Sequence, residues 1–138
     1  MNGAVQPDTI ARSIAKHSGK TSIGAHDIFL GQVRADVIDD RTVEAIEYSA
    51  YTAMAEEAIA AIREEAFARW PAITCLHVHH SIGVIPVGEL CFMVFASAPH
   101  RGEAFEAVRY VVDAIKARAP IFGKEIFAEG GHVWKKNT

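Results

Sequence analysis

The sequence predicts an α+β fold, a mostly antiparallel sheet with helices packed on it. Three observations lead there. Two long stretches, 52–69 and 99–118, repeat apolar residues at the period of an amphipathic helix. Several shorter runs alternate or are apolar throughout, as strands do. Strands and helices also mix irregularly, with more than single crossover helices between strands, which argues for packed α+β layers.

Taken in order, residues 7–17 read as a short helix with Ile10 and Ile14 four apart, broken by "SGKTSIG" (18–24). The "GKT" here lacks the first glycine of GxxxxGK[ST], so no nucleotide site is expected. "AHDIFLGQVR" (25–34) reads as a strand, with Phe29, Gly31 and Val33 on one face and Leu30, Gln32 and Arg34 on the other. The polar "ADVIDDRT" connects it to a second strand, "VEAIEYSAY" (43–51). The helix over 52–69 carries Ala55, Ile59, Ile62 and Ala66 on one stripe, with Glu56, Glu57, Arg63, Glu64 and Glu65 largely outside. Trp70-Pro71 ends it.

"ITCLHVHH" (73–80) is a third strand, and "SIGVIPVG" leads into "ELCFMVFAS" (89–97), apolar enough for a central strand. Pro99 suits the opening of a helix that runs to about Arg118, with Phe105, Val108, Val112 and Ile115 along its buried side. "IFGKEIF" (121–127) and "HVWKK" (132–136) read as two short strands after turns.

The totals narrow the function. A chain of 138 residues, half of them apolar, is one domain's worth (1–138) and can build a core without metal or disulfide. A net charge of −3 provides no global field toward nucleic acid or a membrane surface, so any anion site must be local. No run approaches the roughly 20 apolar residues of a membrane span. The first residues lack the apolar stretch of a secretory signal, and a soluble cytoplasmic protein is expected. Cys75 and Cys91 lie in apolar runs and read as reduced, buried thiols, whose surroundings disfavour the reactive thiolate.

Local cation sites are visible. His100 and Arg101 in "PHRGEAF" open a helix, where free amides and the dipole already favour an anion. Arg34 ends a strand and can join them if those termini meet. In "IKARAPIFGKE" (115–125), Lys116 and Arg118 stand before a proline, where they also offset the negative end of the helix dipole. In "HVHH" (77–80), alternation puts His77 and His79 on one face, a spacing that could hold a metal. With no acidic or cysteine partner at ligand spacing, the run reads as a structural or interface cluster, and neither metal nor cofactor is expected.

"FLGQVR", "EYSAYTAMAEEAI", "HHSIGVIPVGE", "SAPHRGEAF", "IKARAPIFGKE" and "GGHVW" follow one another across residues 25–134. In that order and at those separations they resemble the catalytic (large) subunit family of molybdopterin synthase. The resemblance implies an α/β-hammerhead type of α+β fold and a homodimer of large subunits. It further implies a small ubiquitin-like sulfur-carrier subunit whose C-terminal Gly-Gly tail arrives as a thiocarboxylate. Its sulfur would pass to cyclic pyranopterin monophosphate, twice, to make the dithiolene of molybdopterin. By motif match, Arg34, His100, Arg101 and Lys116 are the substrate-binding candidates, and Lys116 is the first catalytic candidate. Two positions depart from the family pattern. Gly123 stands where a second site lysine is usual, with Lys124 one step later as its catalytic replacement if the strand bulges there. Ser81 stands where an arginine is typical. These departures leave a second reading open, a weak or inactive paralogue that still binds the carrier or a pterin.

Overall fold

The computed structural model describes residues 2–135. In chain order it holds α1 (Pro7–His17), β1 (Ala25–Gln32), β2 (Val37–Ile38), β3 (Arg41–Ala50), α2 (Thr52–Arg69) and β4 (Cys75–His80). There follow β5 (Gly83–Pro86), β6 (Leu90–Ala98), α3 (Arg101–Arg118), β7 (Ile121–Phe127) and β8 (His132–Trp134). The expected α+β class is what the molecule has, and every strand pairing between these elements is antiparallel. Lys136, assigned above to the last strand, lies outside the described residues.

Two sheets form. One has the order β1-β6-β4; the other runs β2-β3-β7-β8, with β5 also paired to β3. β6 is the central strand its composition predicts, and Cys91 to Ala98 are all buried. Its alternation sorts the core. Phe92, Val94, Ala96 and Ala98 join the main cluster with α2 and α3, while Met93 and Phe95 face Val5 and the α1 side.

α2 buries Ala55, Ile62 and Ala66, with Ile59 packed against the same cluster, as its stripe requires. Trp70 ends it, its amide donating to the carbonyl of Ala66 at 2.9 Å. α3 corrects one expectation. Its buried stripe is Ala104, Ala107, Val108, Val111, Val112 and Ile115, and Phe105 is 54% exposed. The physical reason is angular: Phe105 is turned about 100° from Ala104. The two alanines also let the helix lie close against the core. α1 forms over the residues expected, Pro7–His17, but is thinly buried. Ile14 is 43% exposed, Ile10 is only partly covered, and the one buried residue of the helix is His17.

The joint between the two sheets positions the site. Ala119 and Pro120 turn the chain from α3 into β7, whose residues pair with β3 from Ile121↔Ala50 to Lys124↔Glu47 in unbroken register. The C-terminal end of α3 therefore stands beside the end of β1 and the near face of β3 and β7.

Candidate active site

A cavity of about 430 Å³ opens at this joint. Phe29 and Gly31 from β1, Tyr48 from β3, His80 from β4 and Phe92 from β6 form much of its wall. Ile115 and Lys116 close it from α3, and Gly123 and Glu125 from β7. Arg34, just past the end of β1, and Lys135, just past β8, bring two further cations to the same space. Lys135 is held there by its own backbone, whose amide donates to the carbonyl of Gly123 at 2.8 Å.

The charges are tethered. Arg34 Nη2 lies 3.3 Å from Asp36 Oδ2, and Lys135 Nζ lies 3.7 Å from Oε1 of Glu125, which is only 4% exposed. These carboxylates pair with the two cations beside the cavity wall.

His80 has a defined electrical state. Its Nδ1 hydrogen-bonds the carbonyl oxygen of Ser81 at 2.9 Å, so Nδ1 carries the proton and Nε2 presents a lone pair. The ring lies edge-on to Tyr48, with centroids 4.9 Å apart, and also packs on Phe92 at 5.0 Å. Burial, aided by the charge of Lys116, pushes the imidazole below its ordinary pKa, so it is neutral at pH 7. Burial likewise pushes the Tyr48 phenol up, reinforced by its bond to Cys91 Sγ at 3.4 Å. Tyr48 therefore stays a neutral donor.

Of the residues expected from sequence, Arg34 and Lys116 meet at this cavity. His100 and Arg101 do not. They start α3, and the fifteen residues from Arg101 to Lys116 place them roughly 22 Å away along the helix. The expectation for Lys124 is also corrected. β7 does not bulge there, so Lys124 points to the face opposite Gly123, pairs with Glu47 at 3.1 Å and lies 5.9 Å from the ring of Trp134. Ser81 is fully buried and, among the described residues, its Oγ has no hydrogen-bond partner, so it adds no donor to the cavity.

Sequence reasoning passed over Lys135, Tyr48 and Glu125, and noted His80 only as a retained motif histidine without a role. For His80 and Tyr48 a signal existed, since both fall within motifs that carry the family resemblance. Nothing in the linear sequence marks Lys135, whose place follows from one cross-strand hydrogen bond.

The fold and a cavity where Arg34, Lys116 and Lys135 meet the carboxylates of Asp36, Asp113 and Glu125 define a small α+β protein with a charged site at the joint of two sheets. Comparison with known proteins agrees with that class and narrows it. The family model described as MoaE protein matches residues 4–118. A molybdopterin synthase catalytic subunit from Aedes aegypti is 42% identical over 118 residues, spanning 84% of this chain and 76% of the relative. Its counterpart from Taeniopygia guttata is 39% identical over 114 residues, spanning 83% and 72%. Among solved structures, molybdopterin synthase from Staphylococcus aureus superposes with a TM-score of 0.83 at 29% identity, covering 96% of this chain and 92% of that one. The MoaE protein of Burkholderia ambifaria superposes with a TM-score of 0.77 at 32% identity, covering 98% and 86%. The chain belongs to the MoaE family, the catalytic subunits of molybdopterin synthase, and so to molybdenum cofactor biosynthesis.

Proposed function

We propose that this chain transfers sulfur from the thiocarboxylated C-terminus of a small ubiquitin-like carrier to cyclic pyranopterin monophosphate, forming the molybdopterin dithiolene. The observation that supports this most directly is the meeting of Arg34, Lys116 and Lys135 on one cavity beside neutral His80. The substrate's phosphate and the carrier's thiocarboxylate repel one another, and the three cations on this wall would offset that repulsion while holding the reacting atoms in reach.

In this reading the carrier's sulfur attacks an oxygen-bearing pterin side-chain carbon, forming a C–S bond as that carbon's C–O bond breaks. The oxygen leaves with the ring-opened phosphate or, once protonated, as water, and the carrier stays attached as a thioester. Water then adds to the acyl carbon, with the Nε2 lone pair of His80 taking its proton. The ammonium of Lys116 stabilises the oxyanion that develops. Collapse breaks the acyl C–S bond, leaving sulfur on the pterin and a carboxylate on the carrier. A second carrier repeats the sequence. Lys135, rather than Lys124, supplies the charge that Gly123 lacks.

The same geometry supports a proposal for the assembly. His100 and Arg101 lie too far along α3 to serve the cavity of their own chain, and in this reading they serve it from a second copy, in a homodimer. A protein of this fold from Helicobacter pylori, 19% identical, was solved as a complex of subunits 1 and 2 of molybdopterin-converting factor. We extend a two-subunit arrangement of that kind to this chain. The deciding experiment mixes the purified protein with thiocarboxylated carrier and the pyranopterin precursor. Molybdopterin above a no-enzyme control is expected; its absence, with the carrier still bound, would leave the inactive-paralogue reading in place.

A further inference from the structure

On the opposite face of the β1-β6-β4 sheet, away from the cavity, three donor atoms from two distant segments converge. Cys75 and His77 stand two apart on β4 and share a face, and His17 reaches them from the end of α1. The Nε2 atoms of His17 and His77 are 3.4 Å apart, and with Sγ of Cys75 all three donor atoms lie within 4.8 Å of one another. This corrects the sequence expectation that His77 has no ligand partner. The cysteine lies two residues upstream on the same face, and the second histidine is sixty residues away.

We infer that His17, Cys75 and His77 form a site for a borderline-soft divalent cation, zinc in the first place, that fastens α1 to the sheet. Four observations carry this. Two nitrogens sharing a tetrahedral zinc at about 2.05 Å stand about 3.3–3.4 Å apart, the separation found here between Nε2 atoms. Nδ1 of His17 is bonded to the carbonyl of Ser13 at 2.5 Å, which fixes the tautomer and turns the Nε2 lone pair toward His77. Lys20 Nζ, on an exposed side chain, lies 3.0 Å from Cys75 Sγ, so the sulfur is within reach of a cation arriving from the surface. Lys20 is exposed and can swing aside, leaving the fourth position to water.

The fourth observation concerns α1 itself. A surface helix normally docks by an apolar stripe, yet here the one residue α1 buries is His17, 7% exposed. Its ring packs on Phe95 at 5.3 Å and stands edge-on to His77 at the same separation. A helix anchored by a ligating side chain gains little stability from burial, and a metal bridging it to β4 supplies what is missing.

The test uses the full chain stripped of metal by chelator dialysis. Zinc is titrated in competition with a chromogenic chelator, and cobalt(II) is followed by absorption. One equivalent per chain, tetrahedral d–d bands and a thiolate-to-cobalt charge-transfer band are expected, with a Tm that rises on adding zinc. Cys75→Ser should abolish the charge-transfer band, and it and His77→Gln should each weaken zinc binding by at least ~100-fold. His79→Gln, outside the ligand set, should leave affinity and stoichiometry unchanged. The inference is overturned if wild type binds no stoichiometric zinc, if its cobalt spectrum lacks the thiolate band, or if His77→Gln binds as tightly as wild type. Far-UV circular dichroism checks the fold of each variant. Should a variant not fold, the wild-type cobalt spectrum decides by itself.

Discussion

The amide of Lys135 donates to the carbonyl of Gly123 at 2.8 Å. That bond carries an ammonium to the cavity wall beside a residue with no side chain of its own. Lys135→Ala should therefore lower kcat/KM for molybdopterin formation by roughly 10-fold to 100-fold, the scale of losing one contact to a charged group. Lys135→Arg should keep part of the rate. Gly123→Lys is not expected to substitute cleanly, because a Cβ there would sit 3.1 Å from Ile46 Cγ2 and 3.2 Å from Tyr48 Cε1. Steady-state rates with carrier and precursor check all three variants.

Lys116 and Arg118, two apart on the last turn of α3, should separate by assay. Arg118 grips Glu65 on α2 with both terminal nitrogens, at 2.6 and 2.8 Å, while Lys116 lines the cavity. Lys116→Ala should cost at least ~100-fold in turnover with Tm unchanged. Arg118→Ala should lower Tm modestly and leave turnover near wild type. A reversed pattern would exchange their roles.

The same pair sets an acid response. The Arg118 guanidinium, and then the Tyr110 hydroxyl, hold the Glu65 carboxyl down to about 2, against 4.5 for the ordinary group. A depressed carboxyl pKa stabilises the fold above pH 4.5, and that contribution is lost as pH falls toward 2. Because the pair is exposed, the effect is small. Tm measured against pH should fall less steeply between pH 4.5 and 2 in Glu65→Gln than in wild type.

If His100 and Arg101 act from the second copy, two inactive variants should rescue one another. An equal mixture of Lys116→Ala and Arg101→Ala, exchanged into mixed dimers, should regain about a quarter of wild-type turnover, since one site in four is then intact. No recovery in verified mixed dimers would return those residues to a role outside the cavity.

Gly24 tests the packing that seats the start of α3. A Cβ added there would meet the carbonyl oxygen of Pro99 at 2.2 Å, while the Gly24 amide already donates to Ala98 at 3.0 Å. Gly24→Ala should cost about 1–3 kcal/mol, the usual range for forcing extra volume into packed structure. Chemical denaturation measures it directly.

Periodicity alone determined the helices, the central place of β6 and the antiparallel α+β class, because burial along one element repeats at intervals the sequence displays. Order and spacing of short motifs also singled out Arg34 and Lys116, which both line the cavity. Tertiary structure decided which cations share a cavity. Lys124 and Lys135 are both lysines near Gly123, and only strand direction and one cross-strand bond tell them apart. It alone turned Phe105 outward, set His100 and Arg101 a helix length from Lys116, and brought His17 to Cys75 and His77. Such juxtapositions depend on where chain segments dozens of residues apart are packed, and no local pattern of residue types encodes that distance.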